Sequence, residues 1–336
     1  MRALVIFWVT AGHSFNKGAT LGGFLHGYAY TFHMAALFLL SGLLFYKKAE
    51  SIDSVKSGVA VIKDRFLRLI IPYLFYSAVS YVLKMFFEKY ANNKLSSNII
   101  IDLLLGENNP NGGLWFLHTL FVLCVVAVLL CKVPHLVLTG VFFAIKIFTL
   151  FVPVEIPVIG MVMHFGFWFF AGMSLYTCYP KVIGFMTEKL KNSKLLYGGC
   201  FVLLFGAGIF GVYMGVFANK ESDYTTFLIC LANIVAWYMI SVTVSTTGVL
   251  KAPLMVVGNY GMDIYMMGYY VQIAIRVALG SMLGVPYAIY SVLMLILGLL
   301  LPIPVSKYIV RKFRITSFVM LGDYKKKEAK NNGQKT

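Results

Sequence analysis

The chain is predicted to be an all-α, polytopic integral membrane bundle of about ten transmembrane helices, and three observations predict it. Hydrophobic residues make up 60% of the 336 residues, charged residues only 12%, and mean hydropathy is +0.80, whereas roughly a quarter of a soluble chain is charged. Apolar runs of about twenty residues recur along the whole length, each able to cross the hydrocarbon core of a bilayer. The runs are rich in aromatics and do not alternate, which excludes a transmembrane barrel.

The net charge of +16 does not point to nucleic acid. The basic residues are spread through short loops and the tail, no soluble domain exists to carry a basic face, and cytoplasmic loops of membrane proteins collect Lys and Arg in any case. The partners expected instead begin with the lipid bilayer. The five cysteines, Cys124, Cys131, Cys178, Cys200 and Cys230, lie in or beside apolar runs without paired ligand spacing, so they read as small buried hydrophobes and no metal site is predicted. Neither a cleavable signal peptide nor a second globular domain is read: one Arg precedes the first apolar run and no convincing small-residue cleavage site follows it.

Taken in order, the apolar run at residues 4–12 is too short to span unless Phe15 and its neighbours join it, and it reads as a truncated or misassigned start. The second span, at about 28–45, ends in Tyr46-Lys47-Lys48. A loop follows to Arg68, in which Lys47, Lys48, Lys56, Lys63, Arg65 and Arg68 outnumber Glu50, Asp53 and Asp64; that excess marks it as cytoplasmic. The third span, at about 69–87, opens at Ile71-Pro72, where a missing N–H costs nothing. Residues 88–113, polar and Asn-rich, form an external loop with room for an interfacial helix. Further spans are read at about 114–131, 135–152, 157–178, 195–217, 224–247, 254–279 and 287–310. The basic loop 181–194 then falls inside, the acidic stretch 219–223 outside, and the basic residues after the last span inside. An even number of spans with both termini cytoplasmic is self-consistent. Residues 1–314 form one transmembrane domain, and 315–336 a solvated basic tail, largely disordered.

Two histidines stand out, because imidazole is the side chain that exchanges protons near neutral pH. In the predicted topology His13, in Gly12-His13-Ser14, and His33, in Phe32-His33-Met34, lie toward the outer ends of the first two spans and can face each other across a helical hairpin. Arg65 and Arg68 sit at the cytoplasmic mouth of the third span, three residues apart and so on one helical face. They read either as a phosphate grip, to which planar guanidinium groups are suited, or as positive-inside anchors. Ser14 reads as a structural support, because no Ser-His-Asp constellation can be assembled and sequence neighbours do not face each other on a helix. Trp115 is either a pocket wall or an interfacial anchor. Asp263, two residues before Tyr265 in apolar sequence, calls for a charge partner, a function, or a place at the cytoplasmic interface. Arg276 either binds an acidic acceptor or snorkels outward. His26, His118, His135 and His164 read as interfacial or hydrogen-bonded histidines, none at metal-site spacing.

The ordered set Gly12-His13-Ser14, Phe32-His33-Met34 with Phe38 and Ser41-Gly42, Arg65-x-x-Arg68-Leu69 with Pro72, and Leu114-Trp115-Phe116-Leu117 resembles the integral membrane acyltransferase family 3. Phe167-Trp168-Phe169-Phe170-Ala171-Gly172-Met173 and the Gly258-to-Tyr265 segment extend the resemblance over nearly the whole chain. The resemblance implies a ten-span enzyme that moves an acyl group, most often acetyl, from cytoplasmic acyl-CoA to a hydroxyl of a cell-envelope saccharide or similar acceptor. It implies that His13 is catalytic, that Arg65 and Arg68 bind the donor acetyl-CoA or another acyl-CoA, and that His33, Ser14, Trp115, Asp263 and Tyr265 support the site or bind substrate. A positioned imidazole either takes the acceptor's proton or is itself acylated for a moment. The sequence departs from the family pattern in lacking the Asp before the first-span motif, a His after Ile264-Tyr265, and an appended esterase-like domain. A rival reading is an exporter of a glycan or another polar substrate, which works without acyl-CoA and tolerates loss of Arg65. A third is a structural subunit of glycan-assembly machinery, which tolerates loss of both His13 and Arg68.

Overall fold

The structure, a computed structural model, describes residues 1–16, 20–87, 98–106, 109–149, 151–152, 154, 156–184, 194–218, 223–248 and 250–324. Much of the loop 88–113, expected to be external, most of the loop 181–194 and the tail 325–336 lie outside the described residues. Within them every regular element is helical and none is a strand.

Helix α1 (Arg2–Ser14) and α2 (Leu21–Glu50) form the predicted hairpin. The Thr20 side chain caps α2 by accepting from Gly23 N at 3.1 Å. The segment expected as a loop before Arg68 is mostly helix: α3 (Val55–Arg65) starts at a capping box in which Ser54 and Ser57 satisfy each other's backbone N–H groups, a local signal that a count of charges does not reveal. α3 runs through a wide π turn (Phe66–Ile70) into α4 (Ile71–Phe86). Pro72 has no N–H to offer, and the ladder opens just before it, Ile71 N reaching back to the carbonyl of Phe66. A short helix α5 (Ile99–Leu105) and a 3₁₀ turn (Gly112–Leu114) lead into α6 (Trp115–Leu129). Then come α7 (His135–Phe148), α8 (Pro157–Gly184), α9 (Lys194–Ala218) and α10 (Asp223–Thr247).

The span expected at 254–279 is broken. Helix α11 (Lys251–Asn259) stops at Tyr260 and α12 (Gly261–Ile275) starts afresh, continuing as a π turn through Met282. Gly261 packs against the Arg2 and Ile6 side chains, where a Cβ would come within 3.2 Å of Arg2 Nε. The last span is split as well, into α13 (Tyr287–Leu300) and α14 (Pro302–Tyr308). Seven helical stretches among the described residues are long and apolar enough to cross a membrane. The other three expected spans are the 13-residue α1, the 14-residue α7 and the interrupted α11–α12. The chain is thus a multi-pass all-α membrane bundle, and length alone counts seven spans rather than ten.

α2 and α8 form the spine, with Phe38, Phe45, Phe169, Phe170 and Met173 buried at their junction. Two glycines set this approach. A Cβ on Gly42 would run into the Phe169 carbonyl, and one on Gly172 into the Leu39 carbonyl, so the Ser41-Gly42 and Ala171-Gly172 pairs are where the two backbones touch. α1 packs on α2, α11, α12 and α13. The outer surface is covered by exposed apolar side chains such as Phe86, Leu136, Leu203 and Phe210, the face a bilayer requires. The first part of the segment 315–336, expected as a solvated and largely disordered tail, carries helix α15 (Arg314–Leu321), which packs on α4.

Candidate active site

His13 lies in the last turn of α1. Gly12 beside it admits the ring of Tyr30 from α2, which would come within 3.1 Å of a Cβ at that position. His26 closes the hairpin: its Nδ1 lies 2.9 Å from the carbonyl oxygens of both Gly12 and Phe15, and its ring stacks on Tyr30 with centroids 4.2 Å apart. Tyr30 presents its ring edge-on to His13 at 6.1 Å and to His33 at 5.0 Å, and Tyr269 of α12 meets His13 at 6.0 Å.

His33 is buried, and its Nδ1 bonds the Ala29 carbonyl one turn earlier. A carbonyl only accepts, so Nδ1 carries a proton in this contact. Neither nitrogen of His13 makes a hydrogen bond among the described residues. Both histidines line a cavity of ≈ 290 Å³, together with Tyr30, Trp115, Tyr265 and Tyr269, floored by Gly112 and Gly113. His13, Gly113, Tyr265 and Tyr269 also border a second void of ≈ 20 Å³ that extends along α1 to Thr10 and Gln272, room for about one water.

The end of the loop 88–113, expected as an external loop with room for an interfacial helix, lines this cavity through Gly112 and Gly113. Asn111 is buried, its Oδ1 accepting from Gly113 N at 3.1 Å, while Asn109 donates to Ser77 Oγ at 2.7 Å. Tyr265 donates to the Gly113 carbonyl and Tyr270 to the Tyr76 carbonyl at 2.7 Å. The 3₁₀ turn is thereby tied to both α4 and α12, and Trp115, the first residue of α6, packs against Phe38 and Phe165 at its edge.

Ser14 points away from the cavity. Its hydroxyl donates to the Thr10 carbonyl at 2.8 Å and accepts from Gln272 Nε2 at 2.8 Å, and Gln272 also donates to Thr10 O at 2.9 Å. Asp263 is not at the cavity either. Fully buried at the start of α12, it is gripped by Arg311 through Nη2 at 2.9 and 2.8 Å and Nε at 3.2 Å, and it accepts from Ser306. Arg276 opens the π turn after α12 and borders neither cavity.

Arg65 and Arg68 form a separate cluster around Asp64. The Asp64 carboxylate receives Lys48 Nζ, Arg68 Nε at 3.3 Å and the Tyr324 hydroxyl at 2.8 Å, with Arg65 Nε at 3.9 Å. Three cations against one carboxylate leave the cluster positive. Arg68 is held through Nε while Arg65 Nε only faces the carboxylate, and the Nη groups of both make no hydrogen bond among the described residues. Arg68 stands nine residues, about 13 Å of helix, before Ser77, which accepts from Asn109 of the loop that leads to the cavity.

A model of the acyltransferase family 3, an acyltransferase domain, matches residues 1–307. The chain belongs to that family. No curated protein and no solved structure matches it. It is therefore a membrane acyltransferase, and its histidine cavity and arginine cluster both lie on the matched domain, while Arg311 and Tyr324 lie beyond it. Among the described residues no group of three or more His, Cys, Asp or Glu side chains gathers in a metal-binding arrangement. Of the residues expected from sequence, His13, His33, Trp115 and Tyr265 share one cavity; Arg65 and Arg68 share another site; Ser14 and Asp263 brace helices. Tyr30, Tyr269 and Gln272 were not expected. Gln272 alone carried a signal, a polar amide within an apolar run; Tyr30 and Tyr269 are two among 21 tyrosines.

Proposed function

We propose that this acyltransferase moves an acyl group, acetyl by preference, from cytoplasmic acyl-CoA to a hydroxyl of a cell-envelope saccharide, with both termini in the cytoplasm. The observation that carries the reading is His13: an imidazole without a protein hydrogen bond among the described residues, at the junction of two cavities and beside a second histidine. His13 takes the proton of the acceptor hydroxyl as its oxygen attacks the thioester carbon; the C–S bond breaks, and the imidazolium returns the proton to the departing thiolate. His33 and Tyr30 orient the ring and shape the cavity. The aromatic lining of Tyr30, Trp115, Tyr265 and Tyr269 suits the apolar face of a sugar ring. Arg65 and Arg68 grip the phosphates of the donor with their unengaged Nη groups, and the pantetheine arm of CoA has the length to bridge from there to the cavity.

The test is transfer of labelled acyl from acyl-CoA in membrane vesicles. Wild-type vesicles label an envelope saccharide and His13→Ala vesicles at equal protein abundance do not. Equal labelling by both would remove His13 from the chemistry; no labelling by either, alongside altered glycan export in cells, would favour the exporter.

A further inference from the structure

The arginine cluster is completed by a piece of chain that the family model does not include. Helix α15 ends at Gly322, whose φ of 64° is the left-handed conformation glycine adopts without strain. There the backbone lies flat on the π turn: a Cβ on Gly322 would meet Leu67 O, Arg68 Cα and, at 2.9 Å, Arg68 O. These are the carbonyls next to Pro72, where the ladder is open. Two residues on, the Tyr324 hydroxyl donates to Asp64 Oδ1, the oxygen that holds Arg68 Nε. Burial and the adjacent carboxylate both raise the pKa of this phenol, so it remains a donor.

Resting on the donor-site reading above, we propose that Tyr324 is a positioning residue of the acyl-CoA site, through which the C-terminal segment holds Asp64, and with it Arg68, in the orientation that presents the guanidinium Nη groups to phosphate. The physical reason is competition for one carboxylate. Asp64 faces Lys48, Arg65 and Arg68 at once. With the phenol on Oδ1, that oxygen takes Arg68 through Nε alone, and the Nη fork stays out of the pairing. Without the phenol, Oδ1 loses one of its donors and draws Arg68 into end-on pairing, and the Nη groups are lost to the ligand. Gly322 fixes the distance over which Tyr324 acts.

The test uses the full chain in lipid nanodiscs, with coenzyme A as the binding probe and acyl-CoA turnover as the second readout. Tyr324→Phe removes only the hydroxyl. The proposal expects weaker CoA binding and a higher KM for acyl-CoA, by about three- to tenfold, because only part of a charge-assisted hydrogen bond's strength reaches the ligand through Asp64; kcat stays near wild type. It also expects that the Tyr324→Phe, Arg68→Ala double variant binds CoA no worse than Arg68→Ala alone, since the phenol acts through that arginine. If Arg68→Ala weakens CoA binding but Tyr324→Phe does not, or if the two effects simply add, the positioning role is overturned and the donor site stands. If Arg68→Ala leaves CoA binding unchanged, the donor-site reading fails and takes the proposal with it. A loss of kcat at unchanged KM in Tyr324→Phe marks a merely structural contact and also overturns the proposal.

Discussion

Replacing Asp263 by Asn separates a structural carboxylate from a catalytic one. Asp263 stands one residue from Ile264, which lines the small void, and two from Tyr265, which borders both cavities, so sequence position alone would place it in the chemistry. Its side chain instead makes three contacts to Arg311 at 2.8–3.2 Å and one to Ser306. Breaking a buried ion pair costs about 3–5 kcal/mol. The Arg311 side chain is 29% exposed while that of Asp263 is 1% exposed, so water recovers part of the arginine's loss, and Asn retains a carbonyl acceptor. The expected destabilisation is therefore about 2–3 kcal/mol. Purified protein should lose about 5 °C or more of thermal stability, while the folded fraction turns over at the wild-type rate per molecule. Arg311→Ala should match it, with little further loss in the double variant. A variant that keeps wild-type stability and loses turnover would refute the reasoning and place the carboxylate in the reaction.

Ser14→Ala should keep its turnover and lose about 1 kcal/mol of stability, because Gln272 still bonds the Thr10 carbonyl; complete inactivity at normal thermal stability would make Ser14 a nucleophile. Gly42→Ala drives a methyl into the Phe169 carbonyl and should lower thermal stability and membrane abundance by the about 1–3 kcal/mol of an overpacked contact; unchanged stability would show that α2 and α8 do not cross there.

What the sequence made legible follows from the range of the forces involved. Apolar length is a local quantity, so the helices around α2, α4, α6, α8, α9 and α10 could be read directly, and the glycines at the α2–α8 crossing fell within motifs already singled out. At Tyr260 the polar, glycine-flanked stretch Gly258-Asn259-Tyr260-Gly261 interrupts the span read at 254–279, and at Leu301 apolar sequence runs on while Pro302 opens a new helix, so apolar length alone merged both pairs of helices. The His13–His33 hairpin was accessible because a short link forces α1 and α2 together. Tyr269 and Gln272 reach the same place from some 240 residues downstream, and Tyr324 reaches Asp64 across 260 residues; no local pattern encodes such meetings. The loop at Asn109 and Asn111 was read as external from its polarity, and that polarity is spent on a part-buried hydrogen-bond network to α4 and α12.

The central claim is that the imidazole of His13 carries the proton in acyl transfer. It is tested most directly by the ester-linked acyl content of envelope glycans in a deletion strain complemented with wild type or with His13→Ala at equal membrane abundance. The account predicts that the wild-type chain restores the esters and that His13→Ala restores none. Equal restoration by both chains would contradict it and leave His13 a packing residue.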